Sequence, residues 1–142
     1  LLPTDIRVSS PNARFGLPEV KWSIYPFGGA TIKLIQQIGY VQAMDLLLTG
    51  RLISAEEAWK IGLVNDIEKT GCVLDWALEK AHMIVANSPS AVQAVKTQIS
   101  SSIAEHVRSR EGLDQKLGDQ VRADPNFKEG VNAFLEKRQP KY

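Results

Sequence analysis

The chain is poor in the features that mark whole classes of protein, and each shortage excludes something. Cys72 is the single cysteine in 142 residues, so no intrachain disulfide can form. Only two histidines are present, His82 and His106, and neither has a His, Cys or carboxylate neighbour at metal-ligand spacing, so no metal site is expected. The formal net charge is +1, which leaves no general electrostatic footprint for nucleic acid or a membrane surface. No apolar run is long enough to span a bilayer. Pro3, Thr4, Asp5 and Arg7 interrupt the opening Leu1-Leu2 at once, so no signal-peptide pattern is expected. There are no internal repeats and no low-complexity segments.

Hydrophobic residues at 44% and charged residues at 23% are ordinary for a globular domain, and the length is sufficient for one core. Thr4–Ser9 alternates polar and apolar residues, which predicts a short strand with Ile6 and Val8 on one face. Ser10-Pro11-Asn12 is a turn, and residues 13–15 read as a second short strand. Helices are predicted over 31–38, ended by Gly39, and over 41–49, ended by Gly50. Ser54 and Glu57 form a Ser-x-x-Glu capping box for a short helix that Gly62 terminates. Residues 63–67 read as extended. An amphipathic helix over 73–86 places Leu74, Ala77, Leu78, Ala81 and Val85 on one face. After the Asn87-Ser88-Pro89 break comes a helix to about residue 103, then a separate one holding Leu113, Leu117 and Val121. Asp124-Pro125 caps a last helix with Val131, Phe134 and Leu135. The two opening strands have no evident partners, and are expected to need a sheet from elsewhere.

Chemistry concentrates in Phe15–Thr31, FGLPEVKWSIYPFGGAT. Glu19 is the candidate catalytic acid–base residue. Phe15, Leu17, Val20 and Trp22 supply apolar surroundings that are expected to push its pKa upward, toward neutral-pH proton transfer. An inert solvated glutamate is the competing reading. The Pro26–Thr31 loop is the second candidate. Gly28 and Gly29 allow close backbone approach, Thr31 can cap the following helix, and the free N–H groups there suit a thioester or a phosphate. The loop lacks the spacing and Lys-Ser/Thr ending of a phosphate-binding P-loop. Lys137, Arg138 and Lys141 form a basic tip beside Phe134, read either as a solvated face or as a phosphate contact with the ring against a base. Cys72 and the Ser100–Ser102 run have no partner residues for nucleophilic catalysis, and Trp22, Trp59 and Trp76 are read as packing residues.

These segments together resemble the enoyl-CoA hydratase/isomerase (crotonase) family over nearly the whole chain. Thr4–Val8 is similar to its DIR-type strand, Phe15–Glu19 to F-G-x-P-E, and Pro26–Thr31 to P-G-x-G-G-T. Leu47–Ala55 resembles L-L-T-G-x-x-I-S-A, and Ala58–Asn65 resembles A-x-x-x-G-L-V-N. Asn87-Ser88-Pro89 and residues 129–138 match later landmarks.

The resemblance implies an α/β, crotonase-like fold: the C-terminal part of a β/α spiral core over 1–72 with the active-site segment, then a helical trimerisation region over 73–142. It implies an acyl-CoA enzyme that hydrates 2-trans-enoyl-CoA in fatty acid metabolism, with isomerisation or another family activity as alternatives. Glu19 matches one of two catalytic glutamates. Pro26, Phe27 and Gly28 match the thioester loop, and Phe134 and Lys137 match positions that touch the adenine end of CoA across a subunit interface in some members. Phe27 stands where the family often has Gly, so a bulkier acyl-pocket floor is expected.

The family's oxyanion donors and its other glutamate lie upstream of what matches Leu1. Each oxyanion donor is typically worth ~3–4 kcal/mol at the transition state. The isolated chain is therefore expected to be inactive without the N-terminal half of the fold. The implied partners are that half, an acyl-CoA substrate and further copies in a homotrimer or dimer of trimers. CoA enters as part of the substrate, with no separate cofactor. Cytoplasmic location is expected, with the mitochondrial matrix as the alternative. A non-catalytic oligomerisation module is the reading from a different class.

Overall fold

The computed structural model describes Leu1–Tyr142 and contains four two-residue strands, six α-helices and one 3₁₀ turn: β1 (Val8–Ser9), β2 (Arg14–Phe15), the 3₁₀ turn (Pro18–Trp22), α1 (Ala30–Ile38), α2 (Tyr40–Thr49), β3 (Ile53–Ser54), α3 (Ala55–Lys60), β4 (Asp66–Ile67), α4 (Val73–Val85), α5 (Pro89–Ala123) and α6 (Pro125–Leu135). Two compact units interleave along the chain. The first comprises Leu1–Phe15 and Ile53–His106, the second Gly16–Leu52 and Val107–Tyr142.

In the first unit both opening strands find partners within the chain. β1 pairs parallel to β4 with Val8 opposite Asp66, and β2 pairs antiparallel to β3 with Phe15 opposite Ile53. The expected need for an outside sheet is corrected to this extent, although each sheet has only two strands. The strand expected over Thr4–Ser9 shrinks to Val8–Ser9 because Arg7 reorganises the residues before it. Its guanidinium donates to the carbonyls of Leu63, at 2.8 Å, and Thr4, while Asn65 Oδ1 accepts from the Arg7 N–H. Burial pushes the Arg7 pKa down, against the opposing pull of Asp5. Ser54 Oγ accepts from the Glu57 N–H at 3.2 Å and starts α3, as the capping box predicts. Ile53, Ala55, Ala58, Leu63 and Val64 are the buried apolar residues of this unit.

α4 forms over the predicted residues, yet none of its residues is buried. Leu74, Leu78 and Val85, the expected core face, are exposed, as are Val95 and Ile99 on α5. The two helices predicted over 89–121 are one 35-residue helix, α5. Between Ser90 and Ala123 no proline interrupts it, and Gly112 and Gly118 are its only glycines. An interior glycine weakens a helix by about 1 kcal/mol without ending it.

The core of the second unit is built on α1 and α2, whose Leu34, Ile38, Ala43, Leu46 and Leu47 are buried together with Ala133 of α6. Gly39 and Gly50 end α1 and α2 as predicted, and Gly50 takes the left-handed conformation at φ 57°. Asp124 Oδ1 accepts from the Asn126 N–H at 2.8 Å, with Pro125 in the first turn, and so begins α6. No helix is long and apolar enough to cross a membrane.

Candidate active site

All the residues singled out from sequence for chemistry (Glu19, Pro26, Phe27, Gly28, Phe134 and Lys137) fall in the second unit. Glu19 sits in the 3₁₀ turn, which Pro18 opens and Ser23, left-handed at φ 52°, closes. The Glu19 carbonyl accepts from the Ile24 N–H at 3.0 Å, which folds the chain back just after the turn.

Two neighbours fix this short segment. At its start a Cβ on Gly16 would lie 2.9 Å from the Arg51 carbonyl, so only glycine lets the backbone pass so close to the end of α2. At its end α6 presses against Trp22. A Cβ on Gly130 would lie 2.1 Å from the Trp22 carbonyl oxygen, and the Phe134 ring meets the Trp22 ring edge to face at 5.2 Å. The last residue adds a third contact, with the Tyr142 hydroxyl donating to the Lys21 carbonyl at 2.8 Å. Burial raises the Tyr142 pKa, with the Glu129 charge in the same direction.

On the turn held this way, Oε2 of Glu19 is buried and no protein group donates a hydrogen bond to it. Buried carboxylate oxygens are nearly always satisfied, so one left over on a braced segment is available to a ligand.

The glycine loop follows directly. Pro26 is buried, Gly28 and Gly29 are left-handed at φ 73° and 70°, and Gly29 is the residue preceding α1. α1 begins at Ala30, so Thr31 lies inside the helix and does not cap it, contrary to the sequence expectation. No side chain caps α1 and its first turn carries no acidic residue, so its leading amides are compatible with a ligand carbonyl or anion. The Lys33 ammonium donates to the Gly28 carbonyl at 3.1 Å.

α5 lies alongside this loop. The Tyr25 hydroxyl donates to Asp114 at 2.8 Å, and the Arg122 guanidinium stands 4.9 Å from the centre of the Phe27 ring. Burial first, and Asp114 second, push the Tyr25 pKa up. A cleft of about 390 Å³ opens between the loop and the helix, lined by Phe27, Gly28 and Gly29 on one side and residues including Val107, Glu111 and Gln115 on the other.

At the far end of α6 the basic tip is rearranged. Arg138 is held by both oxygens of Glu129, at 2.6 and 2.9 Å, and by Glu136 at 2.6 Å. Of the two readings of the tip, a phosphate contact through Arg138 is disfavoured, because its guanidinium is engaged by Glu129 and Glu136. Lys137, left-handed at φ 55°, has no hydrogen bond or ion pair on its ammonium, and only its N–H is engaged, with the Phe134 carbonyl at 3.2 Å. Phe134 is 58% exposed, so its ring is accessible on the tip that also carries the Lys137 ammonium.

Sequence reasoning missed Tyr25, Asp114, Gly118, Gly130 and Tyr142 as residues that shape the site. The two glycines carried a readable signal, since a glycine inside a helix implies a close approach. Tyr25, Asp114 and Tyr142 carried none, because partners 89 and 121 residues apart leave no local pattern.

Solved structures share this fold. The carnitinyl-CoA hydratase from Mycobacterium avium superposes with a TM-score of 0.91 at 31% identity, over 99% of this chain and 55% of that one. Among curated proteins, the enoyl-CoA hydratase EchA19 of Mycobacterium tuberculosis is 44% identical over 139 residues, covering 98% of this chain and 52% of the relative. The 2,3-dehydroadipyl-CoA hydratase of Escherichia coli is 35% identical over 97% of this chain and 54% of its own length. The fold and the ordered motifs define a crotonase-type α/β protein. The chain belongs to the Enoyl-CoA hydratase/isomerase family, which it matches over residues 1–142. It spans about half the length of the curated relatives it matches.

Proposed function

We propose that this chain supplies the acid–base half of an acyl-CoA enzyme that adds water across a 2-trans-enoyl-CoA. The observation that carries this reading is the buried, unpartnered Oε2 of Glu19 on a turn braced by α6. In the proposed reaction the enoyl thioester enters with its carbonyl toward oxyanion donors from the remainder of the fold. Glu19 takes part in moving the proton between water and the substrate carbon chain, and an enolate-like intermediate is held by the oxyanion donors. Pro26, Phe27 and Gly28 line the acyl side. Phe134 and the free Lys137 ammonium contact the adenine and phosphate end of CoA. CoA is part of the substrate, and no separate cofactor enters the scheme. The names of the relatives, hydratases of CoA thioesters, support the substrate class.

Because the chain spans half the length of these relatives, the activity is proposed for it together with the rest of the crotonase fold. The exposed apolar faces of α4 and the first half of α5 support this, since they need further protein to cover them. We assign them to the remainder of the fold and to neighbouring subunits of a homotrimer.

The test is turnover of 2-enoyl-CoA by the complete protein and its Glu19→Gln variant, with CoA binding measured separately. General acid–base loss predicts a fall of roughly 10²–10⁴-fold in kcat with CoA affinity retained. Unchanged turnover would remove Glu19 from the reaction.

A further inference from the structure

One face of α5 is shaped to the loop that precedes α1. Val107, Glu111, Asp114, Gly118 and Arg122 recur at helical spacing, so they form a single stripe along the helix. Each of four contacts on this stripe meets the loop. A Cβ on Gly29 would lie 2.8 Å from both methyl groups of Val107. Asp114 accepts from the Tyr25 hydroxyl at 2.8 Å, and Arg122 stands over the Phe27 ring. Gly118 makes the closest approach: a Cβ there would lie 1.9 Å from Cζ of Phe27 and 2.5 Å from Cε1.

Gly118 is the one buried residue on a 35-residue helix. A glycine in such a place is unfavourable by about 1 kcal/mol relative to alanine unless something needs the space. Here the Phe27 ring occupies it. The ring is also held edge to face against Tyr25, at 5.2 Å between centroids, and its remaining side lines the cleft of about 390 Å³. The position of the ring is therefore set from α5, and the ring forms part of the cleft wall.

We infer that Phe27 and Gly118 form a ring-and-notch pair that determines which acyl chains the cleft admits, with Gly118 as the positioning residue. This rests on the proposed reading of Pro26, Phe27 and Gly28 as lining the acyl side of a CoA thioester site, extended here to the cleft that Phe27 and Gly28 border. The notch lets the bulky Phe27 ring stand beside the cleft without closing it. Two opposite effects follow. Removing the ring widens the cleft and favours longer chains. Filling the notch forces the ring off α5, and because Tyr25 and Arg122 hold it elsewhere, it moves into the cleft and disfavours longer chains.

The experiment is calorimetric binding of butyryl-CoA and decanoyl-CoA to the complete protein, its Phe27→Ala and Gly118→Ala variants and the double variant, with folding checked by circular dichroism. The ratio of the two affinities is the readout. A change of a few methylenes' worth of pocket is expected to move it by at least tenfold. Phe27→Ala should raise the decanoyl preference and Gly118→Ala should lower it. The double variant should match Phe27→Ala alone, because the notch has no ring left to displace.

A ratio unchanged within about twofold in Phe27→Ala overturns the inference, and this variant decides the matter even if Gly118→Ala fails to fold. A Gly118→Ala shift that persists in the Phe27→Ala background overturns it as well, as does wild-type protein that binds neither thioester. Hydration is read separately on the same proteins. The expected ratio pattern without turnover keeps the ring-and-notch pair and discards the hydratase reading. Turnover with a flat ratio does the reverse.

Discussion

Glu129 and Arg138 anchor the C-terminal tail through two side-chain hydrogen bonds, and Glu129 Oε1 also accepts from the Lys141 N–H at 2.9 Å. These donors, Arg138 first and the Lys141 amide second, hold the Glu129 carboxyl down to about 2 from an ordinary 4.5. A carboxylate with a depressed folded pKa contributes stability that is complete above its unfolded pKa and is lost as pH falls through the folded one. The difference in Tm between wild type and Glu129→Gln should therefore be constant above about pH 4.5. It should shrink as pH drops toward about 2 and vanish below that. A difference that grows on acidification would contradict the assignment. Both side chains are solvent-accessible, so salt should also reduce it. The tail matters to the site because it ends in Tyr142, whose hydroxyl holds the carbonyl of Lys21, two residues after Glu19. Of the residues proposed for chemistry, Glu19 and the glycine loop were legible in sequence because they are contiguous and chemically unusual. The braces around them were not, because a bracing residue is ordinary until its distant partner is known.

At the scale of elements, α6 is the platform for the Glu19 turn. Gly130 lets the helix meet the Trp22 backbone, and that contact cannot yield by a side-chain rotation, since the obstructing atom is a carbonyl oxygen at 2.1 Å from the would-be Cβ. Gly130→Ala should destabilise the protein by about 1–3 kcal/mol, the usual range for overpacking, in denaturant titration. It should also lower kcat by displacing the turn, even though it touches no reacting atom. Stability lost with kcat unchanged would show that the turn is positioned by something other than α6. Helix boundaries here followed their local signals closely. Gly39, Gly50, Ser54 and the Asp124-Pro125 pair act through backbone conformation and capping bonds that need no tertiary context. The expected break within residues 89–121 does not occur, since no proline lies between Ser90 and Ala123 and an interior glycine weakens a helix without ending it. Thr31 failed as a cap because Gly29 and the loop before it start α1 one residue earlier.

For the whole molecule, the telling feature is the apolar surface left on α4 and the first half of α5. Leu74, Leu78, Val85, Val95 and Ile99 are all at least 47% exposed. Exposed apolar area of this kind on an amphipathic helix marks a surface meant for other protein. The 142-residue chain alone is expected to bind a hydrophobic dye such as ANS and to self-associate. Both should be suppressed when it is assembled with the remainder of the crotonase fold, as followed by dye fluorescence and light scattering. A monomeric, dye-silent 142-residue chain would contradict this.

The amino-acid sequence by itself determined the family, the helical majority, the helix ends and the two segments where chemistry is proposed. Those properties are local: capping, glycine conformation, periodicity and contiguous motifs act within a few residues. The tertiary structure alone decided that the opening strands pair within the chain and that Gly118 receives the Phe27 ring. Each of these depends on atoms brought within a few ångströms from opposite parts of the chain. That proximity is a product of packing, and no pattern along the sequence encodes it position by position.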